Sequence, residues 1–179
     1  LKVVVVVDED HSVKDLNSLL DTLESKVSIA DDIVILKGMV ADSLEHTSPW
    51  ENVHDKLIID ATTAADGDPI VGDELVDVSN SLVISASAID GVVQARMLRP
   101  SMMVITTEIE GGPKPNESME DTNEYLAGLQ RERIASIRDS IWKLEVSQGL
   151  KWLFITDSDA NLESEDWKRR LLWQLFCRF

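Results

Sequence analysis

Two pairs of carboxylates stand where metal chemistry could occur. Asp8 and Asp10 follow a run of valines, and Asp157 and Asp159 follow a second apolar run. Oxygen ligands at the carboxyl end of a buried parallel strand could hold Mg²⁺. The same carboxylates could instead cap the helices that follow them and complement the helix dipoles. We favour capping, and a magnesium site stays open as the alternative.

Lys56 is an isolated cation in a strongly acidic stretch, directly before the apolar residues Leu57, Ile58 and Ile59. An ammonium group held there can act as a point charge for a phosphate or a carboxylate. A surface lysine that pairs with the adjacent Asp55 explains the same pattern equally well.

Other catalytic signatures are missing from the sequence. It has no phosphate-loop, dinucleotide-binding, two-histidine zinc, paired-cysteine or nucleophile-elbow motif. None of His11, His46 and His54 has a recognisable general-base setting, and Cys177 lies on the apolar side of the last helical pattern. We therefore assign no catalytic residue and no metal ligand to this chain.

Composition narrows the class of protein. The 179 residues include 17 basic and 33 acidic side chains, a net charge of -16 that disfavours nucleic acid and anionic membranes as partners. The single cysteine predicts a reducing compartment, and we expect the cytoplasm. The longest apolar run, Val3 to Val7, is too short to span a bilayer. Because the sequence opens on a strand pattern and closes within a helical one, we expect a piece of a larger protein.

The elements that must position these residues alternate between strands and helices. A buried strand at Lys2–Val7 precedes a helix between Val13 and Val27, with Ser12 as its capping residue. A long helix is predicted from about Glu117 to Val146, closed by Gly149. Further strands are predicted at 32–36 (closed by Gly38), 57–59, 81–85, 102–106 and 152–156, a last helix opens near 164, and 89–98 is ambiguous.

The start of the chain and its last third share a plan. LKVVVVVDED and LKWLFITDSD both read as Leu-Lys, five mainly apolar residues and Asp-x-Asp before an amphipathic helix. A repeated strand-helix unit and convergence of buried strands on one pattern explain this equally well. Residues 1–90 carry 5 basic and 19 acidic side chains, so the later half, with four of the five tryptophans, is the better candidate for protein contacts.

Several blocks in order resemble a known family. LKVVVVVDED, a helix, DDIVILKGM and then KLIIDAT (Lys56 to Thr62) are similar to the C-terminal domain of the UbiD decarboxylases, the 3-polyprenyl-4-hydroxybenzoate carboxy-lyase-like enzymes that use prenylated flavin mononucleotide. The resemblance covers about residues 1–63.

The resemblance implies a function for the parent protein. Such enzymes reversibly decarboxylate aromatic or α,β-unsaturated acids, with the modified flavin as electron sink. Their catalytic Arg and two Glu, and their metal ligands, belong to an upstream domain, so the isolated chain should be inactive. The C-terminal domain completes the active-site cleft and contributes to oligomer contacts.

One functional position carries over from the family. Lys56 looks like the residue that approaches the cofactor phosphate, and the resemblance implies that the residues after it, toward Thr62, lie near the substrate side. This sequence departs from the pattern at His54-Asp55, where many members have Gly-Ser, and at Ser28-Ile29, where Asp-Pro is usual. The acidic Asp55 would weaken attraction for phosphate.

We therefore predict an α/β, three-layer domain: one mixed, mostly parallel sheet flanked by helices, with a long C-terminal helical segment. Residues 1–110 would form the core, and residues 111–179 would add the long helix and the second strand-helix unit to the same sheet. The predicted function is the cofactor-cleft and oligomerisation domain of a prenylated-flavin carboxy-lyase that forms a homo-oligomer. The alternatives are a noncatalytic interaction module and a Mg²⁺-dependent phosphate-handling enzyme.

Overall fold

The computed structural model describes residues 3–9, 11, 15–40, 53–62, 74–108 and 119–171, without the side chains of residues 53–54, 74–78 and 119–129. The chain divides into two compact units. Described residues up to 62 belong to the first unit, and those from 74 to 171 belong to the second. No described helix is long and apolar enough to cross a membrane.

The first unit is a three-stranded sheet with one helix. Its elements are β1 (Val3–Val7), α1 (Leu16–Lys26), β2 (Ile33–Val40) and β3 (Val53–Ala61). The strand order is β1-β3-β2, with β1 parallel and β2 antiparallel to the central β3. The predicted β-α-β-β order of this segment is confirmed.

One face of the first sheet is buried against α1. Ile59 and Ala61 of β3 are buried, as are Leu20 and Leu23 of α1 and Val27 at its end, and α1 contacts β3. Asp15 caps the helix by accepting a hydrogen bond from the Asn17 amide at 3.0 Å. The predicted cap, Ser12, lies outside the described residues.

Gly38 does not end its strand, which corrects the prediction. β2 continues to Val40, and its register against β3 shifts between Leu36 and Met39. Gly38 adopts φ +65°, a backbone conformation that glycine reaches without a Cβ clash. The glycine therefore marks a bulge within the strand.

The second unit repeats the theme of a three-stranded mixed sheet. Its elements are α2 (Glu74–Ser87), β4 (Val92–Arg99), β5 (Met102–Thr107), α3 (Met119–Trp142) and β6 (Trp152–Asp157), with short 3-10 helices at Glu145–Ser147 and Ser158–Ala160. The order is β4-β5-β6, with β4 antiparallel and β6 parallel to the central β5. A further helix begins at residue 167, and its description ends at 171.

The central strand β5 is buried along its whole length because both faces of its sheet are covered. On one face, Met103 and Ile105 pack in a core with Leu82 of α2 and with Ile137 and Ile141 of α3. On the other face lies the segment that follows β6, in which Ala160, Leu162, Trp167 and Leu171 are buried.

Three sequence predictions are corrected here. The strand predicted at 81–85 is wrong, because these residues lie within α2, whose Leu82 and Ala86 are four apart and share its buried face. The long helix ends at Trp142, before Gly149. The strands pair in two sheets rather than one, because each unit supplies its own central strand, and parallel and antiparallel pairs occur equally.

The α/β class, with mixed sheets and flanking helices, is confirmed. The three-layer arrangement and the C-terminal helical segment stay predictions. The boundary predicted at 110/111 falls outside the described residues and stays a prediction too.

Candidate functional site

The candidate site lies on the face of the first sheet opposite α1. Side chains alternate along a strand, so Lys56, Ile58 and Asp60 point away from the face that holds buried Ile59 and Ala61. Lys56 stands opposite Leu36 of β2. β3 thus presents a lysine on an apolar sheet face that α1 does not cover.

Asp60 and Thr62 close β3 with a local hydrogen-bonded turn. The Asp60 carboxylate accepts the Thr62 hydroxyl at 2.7 Å and the Thr62 amide at 3.0 Å. These bonds, the hydroxyl first and the amide second, lower the pKa of Asp60 below its ordinary value. Asp60 is therefore ionised at neutral pH, and the hydroxyl proton of Thr62 is engaged within the chain.

The two predicted site residues differ in their relation to β3. Lys56 lies within the strand, whereas Thr62 directly follows its last residue, Ala61. On the face of Lys56, Ile58 is flanked by its partners Val4 on β1 and Val34 on β2, and Asp60 follows it along the strand. Thr62 joins this group through its hydrogen bonds to the Asp60 carboxylate.

The Asp55 carboxylate stabilises the bulge in β2 rather than pairing with Lys56. Its carboxylate accepts the Gly38 amide at 2.9 Å, and this bond holds the irregular part of β2 against β3. Adjacent residues of a strand point to opposite faces, so pairing between Lys56 and Asp55 is disfavoured. From the sequence alone, a role for Lys56 as a point charge and an ion pair between Lys56 and Asp55 explained the pattern equally well. The sequence could not separate them, because the residue that Asp55 contacts lies on another strand.

The carboxylates after β1 and β6 make structural contacts. Asp8 forms an ion pair with Lys26 at the end of α1. Asp157 caps the short 3-10 helix by accepting the Asp159 amide at 3.0 Å and the Ser158 hydroxyl at 3.2 Å. Capping is confirmed for Asp157. Among the described residues no cluster of metal-ligating side chains occurs, and Asp10 lies outside them.

His11 stands beside the Asp8 ion pair. Its backbone amide donates to the Asp8 carbonyl at 3.0 Å, and its Nδ1 lies 3.3 Å from the Thr22 hydroxyl. These contacts tie the loop after β1 to α1. His46, Cys177 and the His54 side chain lie outside the described residues.

Sequence analysis missed Asp60 and the apolar residues around Ile58. The available signal was the Asp-x-Thr spacing at the end of an apolar run, which favours a side-chain-to-backbone turn. The cross-strand neighbours had no such signal, because the register between β1, β2 and β3 is set by tertiary pairing.

Comparison with known proteins bears on this first unit. Residues 1–61 match the family model of the 3-octaprenyl-4-hydroxybenzoate carboxy-lyase C-terminal domain. An uncharacterized protein of Archaeoglobus fulgidus is 43% identical over 61 residues, which are 34% of this chain and 13% of that protein. A phenolic acid decarboxylase of Escherichia coli O157:H7 is 43% identical over 63 residues, 35% of this chain and 13% of the enzyme.

A solved structure is also similar: the UbiD-class enzyme HmfF from Pelotomaculum thermopropionicum in complex with FMN. The match has 24% identity and a TM-score of 0.33 and covers 45% of this chain and 19% of that one. The chain spans about an eighth of the length of its two curated relatives. Residues 1–61 match the UbiD-family C-terminal domain, and the resemblance drawn from the sequence is confirmed for that segment.

Proposed function

We propose that this chain serves a UbiD-like carboxy-lyase as the domain that forms one wall of its cofactor cleft. The match of residues 1–61 to a carboxy-lyase C-terminal domain carries the proposal. The catalytic Arg and two Glu, with the metal ligands, would belong to an upstream domain, and the isolated chain would be inactive. The parent protein would act in the cytoplasm, as a homo-oligomer, on an aromatic or unsaturated carboxylic acid.

Lys56 is the residue that fits the cofactor in this proposal. It is a cation on the face that α1 leaves uncovered, and an ammonium group binds phosphate as a point charge. Prenylated FMN, when bound, supplies the electron sink for decarboxylation. Lys56 would hold its phosphate, and the apolar face around Ile58 would exclude water beside it.

Thr62 would lie on the substrate side. Because its hydroxyl donates to Asp60, it offers a substrate its oxygen lone pairs and its methyl group. The adjacent Asp60 carboxylate is ionised and would disfavour a substrate carboxylate at this end. The substrate would therefore point its acid group away from Thr62.

The test is flavin retention in the parent enzyme. Lys56→Ala should reduce the bound flavin, measured as the flavin absorbance per protein after gel filtration. Lys37→Ala, on the exposed part of β2, is the matched control and should retain flavin at the wild-type level. Unchanged flavin content in Lys56→Ala, with an intact fold by circular dichroism, would refute the role of Lys56.

A magnesium-dependent enzyme is the weaker candidate. Its central carboxylate, Asp8, is neutralised by Lys26, and a paired ammonium competes with a cation for the same oxygens. A noncatalytic interaction module finds support in the exposed apolar side chains of the first sheet.

A further inference from the structure

Lys56 stands at the last regular pair between β3 and β2 before the bulge. Its partner across the strands is Leu36, and directly after this pair the register shifts until Met39 pairs with His54. Lys56 and Leu36 are partly buried, whereas Met39 and Val40 beyond the shift are 37% and 79% exposed. These last two side chains bury little apolar surface, so packing contributes little to holding the end of β2 beside Lys56.

A side-chain hydrogen bond closes the irregular part of β2. An extra residue in one strand of a pair leaves part of the backbone without a ladder partner. Here the Gly38 amide donates to the Asp55 carboxylate at 2.9 Å. A hydrogen bond to an ionised acceptor is stronger than one between neutral groups. Asp55 therefore fixes the backbone of β2 against β3 directly beside the pair of Lys56 and Leu36.

We propose that Asp55 is a positioning residue for the cofactor phosphate, which acts on Lys56 through the bulge and Leu36. This inference rests on the proposed function, in which Lys56 binds that phosphate. Side chains directly opposite each other in an antiparallel pair have Cβ atoms about 5 Å apart, so Leu36 confines the stem of Lys56. A lysine that is confined before the cofactor arrives loses less rotamer freedom when it binds.

The negative charge of Asp55 has an effect of the opposite sign. A carboxylate next to a lysine lowers the local positive potential and, by charge alone, weakens phosphate binding. Because the side chains of Asp55 and Lys56 point to opposite faces and salt screens charges at that separation, removing the charge should tighten binding by no more than about twofold. The sign of the change thus separates positioning from charge.

Two substitutions at Asp55 separate the hydrogen bond from the charge. Asp55→Asn removes the charge and keeps an acceptor oxygen for the Gly38 amide, whereas Asp55→Ala removes both. The dissociation constants of riboflavin and of FMN are measured in the parent enzyme by quenching of flavin fluorescence. Riboflavin lacks the phosphate, so the ratio of its constant to that of FMN isolates the contribution of the phosphate.

The phosphate contribution should depend on the hydrogen bond. Asp55→Ala should lower the ratio at least about threefold, which is the order of effect of one lost hydrogen bond. Asp55→Asn should keep the ratio within about twofold of wild type. In a Lys56→Ala background, Asp55→Ala should change the ratio no further, because a positioning residue acts only through the residue that it positions.

Hydrogen exchange of the Gly38 amide tests the structural step by itself in the 179-residue chain. Asp55→Ala should speed this exchange at least about threefold, because the amide loses its acceptor. Asp55→Asn should leave the exchange near the wild-type rate. Circular dichroism of each variant shows that the fold persists.

The outcomes distinguish this inference from the proposed function. If Lys56→Ala lowers the ratio and Asp55→Ala keeps it at the wild-type value, the positioning role is overturned and the proposed function stands. If Asp55→Asn lowers the ratio as much as Asp55→Ala, the hydrogen bond is not the cause and the positioning role is again overturned. A wild-type ratio in Lys56→Ala would overturn both.

Discussion

The guanidinium of Arg96 lies 4.4 Å from the centre of the Trp167 ring, and its Nη1 donates a 2.6 Å hydrogen bond to the Leu162 carbonyl. Arg96 belongs to β4, whereas both partners follow β6, on the far side of β5. Gln94, also on β4, accepts the Leu162 amide at 2.8 Å. One edge strand thus fastens the segment that covers a face of the second sheet.

Removing this arginine should weaken the second unit. Arg96→Ala loses a charged hydrogen bond and a cation–π contact, which together should lower the free energy of unfolding by about 2–3 kcal/mol. Tryptophan fluorescence during urea unfolding measures the change. Arg138→Ala is the control, since Arg138 is half exposed and pairs with its neighbour Asp139. That variant should stay within about 0.5 kcal/mol of wild type.

Two glycines with positive φ should differ in their tolerance of alanine. A Cβ on Gly91, at φ +88°, would lie 3.2 Å from both Arg133 Nε and Ile137 Cδ1, whereas a Cβ on Gly38 would meet nothing within 4 Å. Gly38→Ala should cost about 1–2 kcal/mol from backbone conformation alone. Gly91→Ala should cost more, because Arg133 Nε and Ile137 Cδ1 would also have to move by a few tenths of an ångström.

Hydrogen exchange of the amides in β4–β6 and in β1–β3 measures the two units separately. If Gly38→Ala and Gly91→Ala lost equal protection from exchange in their own units, the crowding proposed around Gly91 would be contradicted.

The turn at the end of β3 should be visible in a titration. Thr62→Val removes the hydroxyl that contributes most to the lowered pKa of Asp60, so this pKa should rise toward its ordinary 3.8. Part of the lowering should persist through the amide of residue 62. Carbon-detected NMR of the Asp60 carboxyl follows the change, and Thr62→Ser should titrate like wild type.

The direction of the pH effect on folding follows from the same shift. Because the folded pKa lies below the unfolded one, the contribution to stability is complete above the ordinary value of 3.8. It is lost as the pH falls through the lowered folded value. Thr62→Val should therefore reduce the difference in stability between neutral pH and pH 3, and an unchanged pH profile would contradict it.

Magnesium should not bind at Asp8 in the wild-type chain. Since Lys26 pairs with this carboxylate, several millimolar Mg²⁺ should leave the NMR signals of Asp8 and His11 unshifted. NaCl at the same ionic strength is the control for nonspecific ionic effects. Saturable Mg²⁺ shifts that grow in Lys26→Ala would restore the magnesium alternative.

Loss of Lys26 should itself change the free energy of unfolding by no more than about 1 kcal/mol, because both partners of the ion pair are about one-third exposed to solvent. Urea unfolding in low and high salt measures it.

The sequence by itself determined that the strands β1, β2, β3, β5 and β6 and the helices α1 and α3 occur, although not where each ends, because each contains an apolar run or an apolar repeat at helical spacing. It also carried the similarity of residues 1–61 to the UbiD-family C-terminal domain, because that similarity rests on ordered local blocks. The apolar pattern gave a wrong prediction at residues 81–85, because a short apolar run fits a strand or a helix equally well. Packing against Met103 and Ile105 selects the helix.

Only the tertiary structure decided which residues share a surface. The sequence marked Lys56 and Thr62, but strand pairing placed Val4 and Val34 beside Ile58 and made an apolar row across the three strands. The tertiary structure also pairs Asp8 with Lys26 and the Asp55 carboxylate with the Gly38 amide. These partners are distant in sequence: the register of β2 against β3 brings Asp55 to Gly38, and the packing of α1 on the sheet brings Lys26 to Asp8, and no local propensity encodes either.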